Sequence, residues 1–173
     1  LTHGHDSIGA LPYILRDYDI PVFGSKLTIE LAKIAVQREN RRRKNDLFHV
    51  IDADTEIEFK NANVSFFKTT HSIPDSLGID ISTKEGEIVY TGDFKFDPSA
   101  KEGFRTDFVR LSEIAQKGVL ALLSDSTNAE ANFPNDRQTS IEKYIFNIFE
   151  NYEGRIIAAA KACLLYTSDA ADE

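Results

Sequence analysis

Residues 1–13 read LTHGHDSIGALPY. His3 and His5 flank Gly4, and Asp6 follows at once. At a strand end, residues i and i+2 project to the same side, so both imidazoles can converge on one ion. Gly4 has no side chain and lets the backbone turn away behind them. Imidazole is a good ligand for zinc and manganese. The alternative is two polar side chains in an exposed loop, and the tripeptide alone does not decide. Asp6 or Ser7 can cap a helix through IGALPYILRDY, with Pro12 in its first turns.

Two later pieces extend the pattern. His71, in TTHSIPDS (69–76), follows an apolar strand and precedes a Ser-Ile-Pro turn. Asp93, in YTGDFKFD (90–97), follows Gly92, which permits a tight approach. A carboxylate at a strand end can bridge two cations. Taken singly, the histidine reads equally as a structural cap and the aspartate as a turn residue. Their order and context carry the metal reading.

Around these pieces the hydrophobic pattern alternates strands with helices. IPVFG is a short strand, and Ser25 caps a helix with Leu27, Leu31, Ile34 and Ala35 on one face. FHVID, TEIEF and NVSFFKTTH read as half-buried antiparallel strands. LGIDIST and EIVYTGDF are joined by a Lys84-Glu85-Gly86 hairpin. TDFVRLSEIAQKG is a helix with Thr106 as N-cap and Gly118 past its end. VLALLSDS is continuously apolar, hence a strand buried on both faces. TSIEKYIFNIFENYEG carries a Thr139–Glu142 capping box and an apolar face of Ile141, Ile145, Ile148, Phe149 and Tyr152, and RIIAAA begins another strand. The fold class is α/β or α+β, with layered sheets covered by helices.

The chain has 173 residues, 42% of them hydrophobic, enough for one domain with a sizeable core. Its formal net charge of −8 argues against a nucleic-acid binder that works through a broad cationic surface. It does not exclude a nuclease, because bound metal ions add positive charge where the phosphate sits. One cysteine, Cys163, rules out an internal disulfide framework and fits a reducing cytosol. No apolar run approaches a membrane span. The chain contains no methionine, and residues 1–3 read as the end of a strand. The tail KACLLYTSDAADE (161–173) lacks periodicity and resembles translated sequencing adapter. The expectation is a piece of a larger protein with a non-native tail.

The series HGH-D-S-IGALPY, TTHSIPDS, YTGDFKFD and LLSDSTNAE resembles the β-CASP branch of the metallo-β-lactamase fold, and within it ribonuclease J. The match covers nearly all of residues 1–160. It implies an αββα sandwich over residues 1–135, with its N-terminal part missing, and the start of a β-CASP domain over 136–160. It implies metal-dependent hydrolysis of RNA phosphodiesters, internally and from the 5′ end, in RNA processing and decay. By position, His3, His5 and His71 look like the ligands of one metal. Asp93 looks like the carboxylate shared with a second metal, and Asp6 like the aspartate of that second metal. Asp6 and Asp93 carry the catalytic role. Asp125 matches an acidic residue that orients a histidine by hydrogen bond, although a solvated cap at a strand end reads equally well. The cofactor implied is zinc, two ions in the family and one here, with manganese or magnesium as alternatives. RNA and a second ribonuclease J subunit, like or unlike, are the implied partners. The implied location is cytoplasmic, with no membrane association.

Two departures from the family motif H-x-H-x-D-H weaken the site. The variable residue after His5 is absent, so Asp6 follows directly, and Ser7 stands where the last histidine belongs. The second metal therefore loses one or two ligands. Firmicute bacteria often carry two ribonuclease J paralogues, and this wording resembles the second, weakly active one. The rival reading is a non-catalytic subunit that stabilises an active paralogue. A small-molecule hydrolase on the same fold fits less well, because SDSTNAE matches entry into the β-CASP insertion. The basic run Arg38, Arg41, Arg42, Arg43 and Lys44 is a solvated helix end complementing the helix dipole, with an RNA-phosphate contact through Arg41, Arg42 and Arg43 as the alternative. His49 reads as a strand residue and not a ligand. No aromatic stacking surface can be separated from core by sequence alone.

Overall fold

The computed structural model describes residues 1–5, 8–39, 45–97, 100, 104–127, 129–130 and 137–157. These residues fall into two compact units that divide after Thr127. The domain boundary expected near residue 135, the tail from 161 and Cys163 lie outside the described residues.

The first unit is a layered α/β structure. Helix α1 (Leu11–Asp17) opens with Pro12 in its first turn, where the missing N–H costs nothing. Strand β1 (Val22–Gly24) pairs in parallel with β2 (Phe48–Val50), and α2 (Lys26–Glu39) connects them. The second sheet runs β3 (Glu56–Glu58), β4 (Asn63–Lys68), β5 (Leu77–Ser82), β6 (Glu87–Tyr90), β7 (Val119–Leu123), in that spatial order. Its first three pairings are antiparallel and β6–β7 is parallel. Helix α3 (Phe108–Lys117) makes the β6–β7 crossover.

Alternation along β4 shows how the layers close. Phe66 enters a cluster with Ile51 and Leu77, joined by Phe23 of the first sheet and by Ile57, Val64 and Ile79 of the second. Adjacent Phe67 points the other way, to Val89 and Ile114 of α3. On the far side of the first sheet, Leu11 and Leu15 of α1 meet Ile29, Ala32 and Val36 of α2. The order is therefore helix, sheet, sheet, helix, which is the expected αββα sandwich.

Several local expectations change. In α2 the buried face is Thr28, Ile29, Ala32 and Val36, not the Leu27–Leu31–Ile34–Ala35 stripe. Both stripes are apolar, and the one turned to β1, β2 and α1 wins. FHVID pairs in parallel rather than antiparallel. The N-cap of α3 is Asp107, whose carboxylate accepts from Arg110 N–H at 2.9 Å. Thr106 is instead bonded to Thr70. Strand β7 is exposed along its whole length, not buried on both faces, and among the described residues it is the last strand of the sheet and pairs with β6 alone. In the second unit, α4 (Arg137–Asn151) starts before Thr139, so the expected capping box falls inside the helix. Its Ile145 and Phe149 are exposed, as is Tyr152 just past its end. Residues 155–157 of RIIAAA have no regular structure.

Candidate metal centre

Leu1 and Thr2 are stitched between the two sheets. The Leu1 amine donates to Phe23 O at 2.7 Å, and Leu77 N–H donates to Thr2 O at 2.9 Å. His3 and His5 follow directly, so their position is fixed by both sheets. Gly4 has no left-handed φ. A Cβ there would lie 2.5 Å from Leu31 Cδ1 of α2. Glycine leaves room there for the tip of the Leu31 side chain and is not required to turn the chain.

His71 lies three residues past β4. Thr70, just before it, is locked to Thr106 by three contacts of 2.9–3.1 Å, two of them backbone N–H to hydroxyl. Asp93 lies three residues past β6. Gly92 before it has φ +61° and passes so close to Thr2 that a Cβ would sit 2.9 Å from Thr2 Cβ. Here glycine is required both by backbone conformation and by space.

The irregular N-terminal segment, not the strand end expected there, and the ends of β4 and β6 bring His3, His5, His71 and Asp93 together, with one nitrogen or oxygen donor from each lying within 4.8 Å of the others. His71 Nε2 is 3.1 Å from His5 Nδ1, and Asp93 Oδ2 is 3.3 Å from His3 Nε2 and 3.8 Å from His71 Nε2. The three rings stand at 68–89° to one another with centroids 4.9–5.0 Å apart. Tetrahedral zinc with bonds of about 2.0–2.1 Å spaces its donors by roughly 3.4 Å, close to these separations.

The electrostatics agree. His3 is 2% exposed, and its Nε2 makes no hydrogen bond despite the nearby carboxylate. Its Nδ1 lies 3.1 Å from the buried Thr2 hydroxyl. A proton on Nδ1 donated to Thr2 leaves the Nε2 lone pair aimed at the cluster. Burial lowers the His3 pKa, with Asp93 opposing and His5 assisting. Burial also lowers that of His71, assisted by the charges of His3 and His5. Both rings are therefore neutral at pH 7 and able to donate lone pairs. Three imidazole nitrogens and one carboxylate oxygen suit a borderline dication.

Of the other expected residues, Asp6, Arg41, Arg42 and Arg43 lie outside the described residues. Asp125 follows β7, and its Oδ1 accepts from the Thr127 N–H at 2.9 Å and hydroxyl at 2.6 Å. The bonds from Thr127 hold the Asp125 pKa below the usual range. The Asp125 N–H donates to the Thr91 hydroxyl at 3.1 Å, which ties the end of β7 to the segment that leads to Asp93. His49 stacks on Phe23 and stands apart from the cluster. Thr2, the partner of His3, was not singled out by sequence, since a threonine before a histidine carries no distinguishing signal.

No protein-family model matches the chain. It is 56% identical over 163 residues to ribonuclease J 2 of Streptococcus pyogenes, covering 94% of this chain and 30% of that protein. It is 48% identical to ribonuclease J 2 of Staphylococcus epidermidis and 46% identical to that of Staphylococcus aureus, covering 94% of this chain and 29% of each relative. The chain thus spans less than a third of the length of these curated relatives.

Proposed function

We propose, from the premise that this chain belongs over 94% of its length to the ribonuclease J family, that it is part of a metal-dependent ribonuclease. The reaction is hydrolysis of RNA phosphodiesters, from the 5′ end and internally, in processing and decay of ribosomal and other RNA. The observation that carries this reading is the convergence of His3, His5, His71 and Asp93 on one point.

Those four residues would hold the cation, and three imidazoles favour zinc or manganese over magnesium, which prefers oxygen donors. When bound, such an ion supplies charge to a phosphoryl oxygen and acidifies a water. The chain's own residues do the rest. Thr2 fixes the His3 ring, and the Thr70–Thr106 lock fixes the strand end carrying His71. Asp93 has a side chain 46% exposed, so one carboxylate reaches both the imidazoles and incoming solvent. It accepts a hydrogen bond from the attacking water and orients it. Asp6 would be the aspartate of a second ion, and Asp125, whose N–H donates to the Thr91 hydroxyl at 3.1 Å, holds the segment that leads to Asp93. Arg41, Arg42 and Arg43 are the candidate phosphate contacts. The location is cytoplasmic; among the described residues, no helix is long and apolar enough to cross a membrane.

Ser7 and the direct His5–Asp6 junction favour a second reading. In it the second ion is lost, catalysis is weak, and the protein serves as a subunit that stabilises an active ribonuclease J paralogue. Metal analysis with 5′-monophosphorylated RNA separates the two. Two ions per chain with turnover that His71→Ala abolishes supports the enzyme. One ion without turnover, together with tight binding to an active paralogue, supports the subunit. No bound ion and no RNA cleavage refutes the metal-centre reading.

A further inference from the structure

Three phenylalanine rings meet on the two segments that flank Asp93 and dock on the residue before His71. Phe94 follows Asp93 and meets Phe96 edge to face, with centroids 5.2 Å apart. Phe96 stacks on Phe108 at 5.8 Å with 25° between planes. Yet Phe96 is 59% and Phe108 58% exposed, so the rings cover each other and little else covers them. Both segments are anchored on the strand end that delivers His71. Lys95, between Phe94 and Phe96, donates its N–H to Thr70 O at 2.8 Å. Thr106, two residues before Phe108, is locked to the same Thr70. Thr70 precedes His71, so the aromatic patch and the cluster are fixed by one backbone position.

We propose that Phe96 and Phe108 form a stacking platform for an unpaired base of a single-stranded RNA whose neighbouring phosphate lies at the cluster. This rests on the ribonuclease reading above and adds the surface by which the strand is held. Continuity with the cluster and flat, nearly parallel exposed rings fit a base better than an aliphatic side chain. Charge points the same way. A net charge of −8 disfavours gripping a backbone through a broad cationic surface, whereas every base offers a π-face that aromatic rings bind without regard to charge. No local pattern separates these phenylalanines from the core; their exposure in the fold does so.

The test uses the chain with a short 5′-monophosphorylated single-stranded RNA carrying 2-aminopurine at successive positions, and the same RNA with an abasic site at the position quenched most. Binding should quench the fluorophore at one position. Phe96→Ala with Phe108→Ala should weaken binding about ten- to hundredfold, with an unchanged salt slope. The abasic RNA should bind the unmutated chain equally weakly and lose nothing further with the double variant. Phe96→Leu, which keeps apolar volume without a π-face, should behave like alanine, and Phe96→Trp should retain binding; unchanged melting shows that these variants fold. Variants that bind the base-containing RNA within twofold of the unmutated chain overturn the proposal, as does an equal loss on the abasic RNA. An unmutated chain that binds no single-stranded RNA overturns the ribonuclease reading together with this one.

Discussion

Thr2→Val keeps side-chain shape and removes one hydroxyl, the partner of His3 Nδ1 at 3.1 Å. Thr2 is 7% and His3 2% exposed, so no water readily replaces it. If Nδ1 donates to Thr2, the hydroxyl selects the tautomer whose Nε2 faces the cluster. Its loss should weaken zinc binding about 10–100-fold, the usual effect of losing a partner that orients a ligand, or roughly 1.4–2.7 kcal/mol. The metal-free protein should also lose about 1–3 kcal/mol, because a buried ring N–H is left unpaired. Competition against a chromophoric chelator measures the first effect and thermal melting without metal the second. Thr2→Ser, which keeps the hydroxyl, should lie near the unmutated chain in both. If Nδ1 instead accepts from the hydroxyl, the ring presents Nε2–H to the cluster, and removing the hydroxyl frees the better tautomer. A valine variant that binds zinc as tightly as the unmutated chain, or more tightly, therefore refutes the assignment.

Gly92→Ala should destabilise the fold by about 1–3 kcal/mol, from a left-handed φ of +61° and overpacking against Thr2. It should also weaken zinc binding by displacing Thr2; melting and chelator competition read both. Asp80 and Glu87 are 1% and 4% exposed, and Asp80 Oδ1 and Glu87 Oε2 accept from no N–H or O–H of any third residue. Burial raises the Asp80 pKa, the charge and hydrogen bond of Glu87 add to this, and Ser65 and Lys117 oppose. The folded state therefore holds this proton more tightly than the unfolded chain, and stability is lost as pH rises above the ordinary carboxyl value of 3.8 through the folded one. Asp80→Asn should flatten that slope and melt about 2–10 °C higher than the unmutated chain at pH 8 while matching it near pH 4. Equal slopes in melts from pH 4 to 8 would count against a shared buried proton.

Local motifs point to these four residues because their spacing is local: His3 and His5 lie two residues apart, in an irregular segment rather than at the expected strand end, and His71 and Asp93 each follow a recognisable strand. The same locality explains the legible hairpin at Gly86 and Pro12 in the first turn of α1. What sequence missed depends on which surface meets which. Two apolar stripes on α2 are equally good by period, and only packing against β1, β2 and α1 selects Ile29, Ala32 and Val36. The run VLALL reads as buried until its place at the end of the sheet is known. Thr106 has the chemistry of a cap, yet its hydroxyl is drawn to Thr70 and Asp107 takes the cap. That exchange has a functional consequence, since it places the start of α3, and with it Phe108, against the strand end that carries His71. The four clustered side chains were thus readable one by one. The surface beside them arises from a threonine contact 36 residues apart in sequence, which no local pattern encodes.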